Sequence, residues 1–490
     1  MKKIVLFLVL LHNSILLSQT VLNSFPLNLS NPLENGQSLN IEDVKTNEIY
    51  VFASDNSNIN ILKYNKSLFL RGQFTDSIKS AKNGILLGSS LSEDGNPSLY
   101  WSSPDYKNLR IIKYYFDTKA SKTLSFDFGS YNSYVISHFQ KDNSFYVLAK
   151  EIKEPHLLLF IFNNGKCEIK MFDFSGILFQ NKNDQRFSFS TSLQYFPIEK
   201  MDYDNFNPLD KSVSKNKMYV LDNHILLTLD YNTKKTQVLD LNLETQEVTE
   251  KNYDQPISKK PSKTSNSFYN DNKLFQISTN NDEFLFDVKD LSTGKSVKTV
   301  SISKKDTINF KNSPLFIQNN GYKPQEINTT AKFLKQLSAL NVGVTVFKNK
   351  ENSLITFGGF LEYQISRAPS FNYSQNDAFF GFEDYNAYPA YTQSRMVYFD
   401  SMLNPDYEFI NNQQTEPLAI DNIFYFLGKS KNIILENIIK LKDYSLLGYY
   451  DLGTKQYVIR KFTDGFTRED AGNPISNKAV FSKNFPVNKP

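Results

Sequence analysis

The residues of this chain best suited to chemistry are few and far apart. Beyond the first twenty positions there are three histidines, His138, His156 and His224, and one cysteine, Cys167. No His-Glu-x-x-His pair and no second cysteine accompany them, so the spacing of a zinc site is absent. Cys167 falls in a strand-like run, Lys166 to Phe172, and reads as a small buried apolar residue rather than a nucleophile. No Gly-x-Ser-x-Gly elbow, phosphate-binding loop or dinucleotide fingerprint occurs. Asp202, Asp204, Asn205, Asn207 and Asp210 form the densest set of oxygen ligands. Phe206 and Leu209 interrupt it, and no glycine supplies the sharp turn of a calcium loop, so an ordinary polar loop is expected. The sequence nominates no catalytic residue, no metal and no cofactor.

Other residues describe the frame. The phrase Asn, any residue, aliphatic, aromatic recurs at Asn47, Asn143, Asn216 and Asn272. Around it, short runs of alternating apolar residues are separated by Asn, Asp, Gly and Thr clusters, the pattern of antiparallel strands and tight turns. Residues 216–253 form the template: strands over 217–221, 224–231, 236–241 and 247–253, the size of one β-propeller blade. Related hairpins flank Asn163-Asn164-Gly165, Asp290 to Gly294 and Asp451 to Thr454. A repeat that cannot bury its own apolar face must stack on its neighbours. The expected fold is all-β, a single irregular β-propeller over 19–463 with about seven blades, six or eight staying open. The expected interruptions are one short inserted helix (326–341), a polar loop (254–266) and an aromatic-rich loop (367–391). A polar tail covers 464–490.

Residues 1–18 read as a secretory signal peptide, with Lys2 and Lys3 before an apolar run from Ile4 to Leu11. The formal charge is +4, two of it from that segment, and both signs are interspersed. Neither nucleic acid nor an anionic membrane surface is favoured as a partner. The expected address is the periplasm, at the inner face of the outer membrane.

One hairpin resembles a known repeat. Asn83 to Ser90, then Ser92-Glu93-Asp94-Gly95-Asn96, then Leu99-Tyr100-Trp101, resembles the Asp-Gly-Asn hairpin of TolB-type, WD40-like exported propellers. The match covers about 20 of 490 residues. The resemblance implies a propeller that docks on other envelope proteins. In style the chain also resembles exported proteins of bacteria with type IX secretion. Its end, Phe481 to Pro486, does not resemble the sorting domain of that system's cargo. That implies retention in the periplasm as an accessory of an outer-membrane translocon.

The segment 367–391 carries Phe371, Tyr373, Phe379, Phe380, Phe382, Tyr385, Tyr388 and Tyr391. Loops are normally polar, so these aromatics need a buried home or a partner. They are the candidate partner-binding residues of a non-enzymatic interaction subunit. The alternative is a carbohydrate-binding or glycoside-hydrolysing propeller whose carboxylates meet at a central funnel, which only their separation in space decides.

Overall fold

A computed structural model describes residues 19–78, 84–320, 322–365, 391–411 and 415–466. Among the described residues the fold is predominantly β: seven sheets of four or five strands follow one another along the sequence, in the topology of a seven-bladed β-propeller. Contacts divide it into two compact units.

The first unit holds five blades. Blade one runs Gln37–Glu42, Ile49–Ser54, Asn58–Tyr64 and Leu70–Ser77. Blade two runs Ile85–Leu91, Pro97–Ser102, Asn108–Tyr115 and Ala120–Asp127. Blade three runs Ser133–Lys141, Ser144–Glu151, His156–Asn163 and Lys166–Asp173. Blade four runs Asn216–Val220, His224–Leu229, Lys235–Asn242 and Val248–Asp254, and a fifth strand, Ile198–Met201, pairs in parallel with its first. Blade seven takes Ile433–Lys440, Ser445–Asp451 and Gln456–Phe462 from the end of the chain and its outermost strand, Gln19–Pro26, from the start. The first strands of blades seven, one, two and three and the strand Ile198–Met201 lie side by side in that order.

The core of this unit is sheet on sheet. Tyr50, Phe52 and Ile61 of blade one pack with Leu99, Trp101 and Ile112 of blade two. Tyr100 and Leu109 of blade two pack with Phe145, Phe160 and Phe162 of blade three. Leu157 and Leu159 of blade three pack with Met218, Leu227 and Leu239 of blade four. Each fully buried side chain of this size contributes about 2 kcal/mol.

The second unit holds blades five and six. Blade five runs Thr264–Asn270, Lys273–Thr279, Glu283–Asp290 and Ser296–Ser303. Blade six departs from the template. Its outer strand, Phe316–Asn319, precedes its first strand, Asn341–Asn349, and the strands Asn352–Ile365 and Tyr391–Leu403 are its second and third. Phe284 and Phe286 of blade five meet Phe357 of blade six edge-on at 5.5 and 4.8 Å, an arrangement the ring quadrupoles favour.

Several expectations need correction. The segment 254–266 is not all loop. Asp254 ends blade four, and Thr264–Asn266 open a fully buried strand. Polar residues are buried there because they are bonded: Asn266 Nδ2 donates to the Val213 and Val342 carbonyls at 2.9 and 2.8 Å. The helix inside 326–341 is Thr330–Leu337, with Thr329 Oγ1 accepting from Lys332 N, and Asn341 opens a strand instead of ending the helix. It is not alone. Pro32–Asn35, Phe189–Tyr195, Leu209–Ser212 and Ala419–Lys429 are also helical. The last was missed although Ala419, Ile423 and Leu427 recur at helical spacing and pack on blade seven. The expected tail begins in order, since Asp464 Oδ1 accepts from Ala419 N at 2.7 Å and Asn422 Nδ2 donates to the Gly465 carbonyl. Cys167 is exposed, because Lys166–Asp173 is the outermost strand of its sheet. Residues 1–18 and 467–490 lie outside the described residues.

Candidate functional site

Blade six positions the aromatic-rich segment. Its second and third strands hold 14 and 13 residues, against 7 and 8 in blade five. Pairing with the first strand stops at Asn341↔Phe360, and the outer strand covers only Arg395 to Tyr398. The two long strands continue past both limits, from Glu362↔Ser394 to Ile365↔Tyr391. Blade six thus extends into a two-stranded ribbon. Tyr363 Oη donates to Gln393 Oε1 across it at 3.1 Å, and Asn320 bonds the Ser394 backbone at its side. Tyr391 opens the returning strand. Phe371, Tyr373, Phe379, Phe380, Phe382, Tyr385 and Tyr388 lie outside the described residues.

Close packing fixes the base of the ribbon. Gly358 has no room for a side chain: a Cβ there would meet the Val397 carbonyl oxygen, Leu209 and Tyr398. The helix Leu209–Ser212 thereby seats against the long strands. Asp210, on that helix, has its carboxyl pushed up from the usual range by burial, with Glu362 adding to the effect.

In the first unit the oxygen-rich residues are engaged in the loop's own turn. Asn207 is buried and its amide closes the loop, accepting from Asp202 N at 2.9 Å and donating to the Asp202 and Asn205 carbonyls. Lys200 pairs with the Asp202 carboxylate. Asp210 belongs to the second compact unit. Among the described residues no three His, Cys, Asp or Glu side chains are grouped to hold a metal ion.

The histidines also stay apart. His156 sits between two carboxylates, with Nδ1 2.9 Å from Glu151 and Nε2 3.5 Å from Asp173. His224 Nδ1 lies 2.7 Å from Asp240. His138 packs against Phe145, and burial holds its ring below the ordinary histidine value. The Asp94-Gly95-Asn96 turn joins the first two strands of blade two. Gly95 has φ +70°, and Asp94 accepts from Ser92 Oγ and Asn96 N. Burial opposes the charge of Asp94, but these bonds and Lys113 hold its carboxyl well below the usual range. Turn geometry and contacts from neighbouring strands account for this motif: Lys113 pairs with Asp94, and Tyr50 Oη donates to the Gly95 carbonyl at 2.9 Å.

The alternative reading asks for carboxylates on the strands nearest the propeller axis. In the first unit the free edge of blade four is occupied by Ile198–Met201. In the second unit a cleft of about 400 Å³ lies at the turns of blades five and six, the end of blade six opposite the ribbon. Asp271, Lys348, Glu351 and Tyr407 line it, and Lys348 pairs with Asp271 at 2.8 Å. Sequence reasoning missed these residues because three turns supply them, each ordinary alone.

No family model and no curated protein matches this chain. Solved structures do resemble it. The WD40 domain of SCAP from fission yeast is 9% identical, covers 91% of this chain and 88% of its own, and has a TM-score of 0.31. The Dos1 propeller is 11% identical over 86% of this chain and 78% of its own, with a TM-score of 0.29. A prolyl endopeptidase is 8% identical over 88% of this chain and 48% of its own, with a TM-score of 0.32. At such scores the fold assignment rests on the sheet topology itself.

Proposed function

We propose that this protein is a non-enzymatic, periplasmic β-propeller that serves as an interaction subunit or accessory of an outer-membrane complex, with protein secretion as the process it assists. Propellers commonly act as interaction scaffolds, because rigid blades carry long loops at their ends. The observation that carries the reading is the ribbon of blade six. A two-stranded ribbon is marginal by itself in water, and this one leads into a segment with eight aromatic residues in 25 positions. The signal-like N-terminus and the TolB-like hairpin support the envelope address.

The test is affinity purification from detergent-solubilised envelopes, using the full chain and a variant in which 367–390 is replaced by a short Gly-Ser linker. The expected result is an envelope protein that co-purifies with the full chain and not with the variant, at equal thermal stability. Recovery of the full chain as a free monomer would sink the reading.

A further inference from the structure

A second surface of the first unit has the make-up of a peptide site. Phe126, on the outer strand of blade two, lies 5.5 and 5.4 Å from Phe160 and Phe162 of blade three. These rings pack together where the outer parts of the two blades approach each other, and we read the surface above them as a shallow groove at the rim. The side chains on either side of it are apolar and open to solvent. Leu124 is 61% exposed, Met171 46%, Tyr131 38% and Ile169 37%, and Cys167 is exposed beside them. Cys167, Ile169 and Met171 alternate along one strand, so all three point to one face. They pair with Phe162, Phe160 and Leu158, which places that face toward blade two. Isolated exposed apolar residues are ordinary, but a contiguous strip of them marks an interaction surface.

The two ends of the strip differ in charge. Lys122 stands on the same strand face as Leu124 and Phe126, and its ammonium lies 5.7 Å above the Tyr115 ring. Lys113 flanks the same ring at 5.2 Å but is already paired with Asp94 at 2.9 Å. Lys122 has no ion-pair partner among the described residues. At the other end Asp173 follows Met171 on the same face, with Glu151 behind it across His156. A ligand lying along the strip meets a cation at one end and carboxylates at the other.

We propose that this rim groove docks a short extended peptide of a partner protein, apolar at alternate positions and carrying carboxylates at its Lys122 end. The strip from Cys167 to Met171 spans about 13 Å, the reach of five extended residues. Alternate side chains enter the groove, and the terminal charge sets direction. The inference rests on the reading of the protein as an interaction subunit and adds a site distinct from the blade six ribbon.

Cys167, the sole cysteine, makes the groove measurable. Its alkylation by iodoacetamide at alkaline pH, followed by mass spectrometry, reports access to the strip. The probes are two acetylated seven-residue peptides with leucine at alternate positions, differing only in a terminal Asp-Asp or Lys-Lys pair. The acidic peptide is expected to slow alkylation about tenfold at roughly ten times its Kd. The basic peptide should give no protection. Lys122→Glu should reverse the preference, and Leu124→Asp should abolish protection. Both positions are exposed, and an unchanged melting curve excludes misfolding. Equal protection by both peptides, or none by either, overturns the proposal. Absent protection with an envelope partner still captured through 367–390 overturns the groove alone. Protection without a captured partner overturns the envelope-complex reading alone.

Discussion

The Asn143 side-chain amide donates to the Asp43 carboxylate at 2.7 Å, joining two turns that lie 100 positions apart. The same side chain accepts from Val44 N at 3.2 Å, and its own carbonyl accepts from Leu91 N at 2.9 Å. One residue therefore ties blades one, two and three together at the ends of their first strands. Asn143 has φ +62°, a region that asparagine tolerates better than most residues.

Asn143→Ala removes both side-chain bonds and leaves Asp43 buried without its amide donor. The expected cost is about 3 kcal/mol in urea unfolding. Asn143→Gly relaxes the backbone but loses the same bonds, so it should fall between wild type and alanine. Equal stability of all three would show the tie to be idle.

Acid should act on this unit in two stages. Burial holds His138 below its ordinary value, so the unfolded state binds a proton first. Stability from this group is complete above the unfolded value, about 6.5, and declines as pH falls through the folded one. His138→Phe should flatten that stage. Burial opposes the charge on Asp43, but bonds from Asn143, Lys45 and Thr46 lower its pKa overall. Its contribution is present above the unfolded value of about 3.9 and is lost as pH falls through the folded value. Thermal melts across pH should show the upper stage vanish in the His138 variant and the lower stage shrink in Asn143→Ala.

Gly448 should accept no side chain. A Cβ there would run into Asn40 and the Tyr457 hydroxyl, which donates to Asn40 Oδ1 at 2.8 Å. Gly448→Ala is expected to cost about 3 kcal/mol by overpacking, read as a fall in melting temperature. A melting temperature within a degree of wild type would contradict this packing.

A chain beginning at Leu27 lacks the outermost strand of blade seven, which pairs along Gln456–Phe462. Its ladder bonds, at about 1 kcal/mol each, sum to a loss on the order of 5 kcal/mol. The bared strand edge should also promote association. Light scattering on heating should show earlier aggregation, which an added synthetic peptide of residues 19–26 suppresses. Identical scattering with and without the strand would contradict the pairing.

Legibility followed locality. The blade-four, blade-five and blade-seven hairpins could be read because a few neighbouring residues write their turns: Asp451 Oδ1 accepts from Gly453 N and Thr454 N, and Asp290 Oδ1 accepts from Thr293 N. The recurring Asn phrase was less uniform than its spelling. At Asn47, Asn143 and Asn272 it marks a left-handed turn into a second strand, whereas Asn216 is buried and opens a first strand. Spelling alone does not distinguish an asparagine that turns the chain from one that bonds to the Phe196 carbonyl. Blade six escaped the template because its outer strand comes before its first strand. The closing strand escaped because Gln19–Pro26 is half exposed and lacks clean alternation. Composition marked the aromatic segment at 367–391, but Tyr391 pairs with Ile365 inside the ribbon. The ribbon itself was not readable, since strand length depends on which partners stop pairing. The rim groove needed the structure, because its two walls belong to different blades.

The pairing of Gln19–Pro26 with Gln456–Phe462 also imposes an order in time. Synthesis makes the first of these strands hundreds of residues before the second. Until then the early strand has an open edge and no mate, and blade seven cannot be completed. Completion of blade seven must therefore wait until Gln456–Phe462 has been made. During that wait the exposed edge of Gln19–Pro26 is a site where the unfinished chain can associate, so the strand that closes blade seven is also its hazard during synthesis.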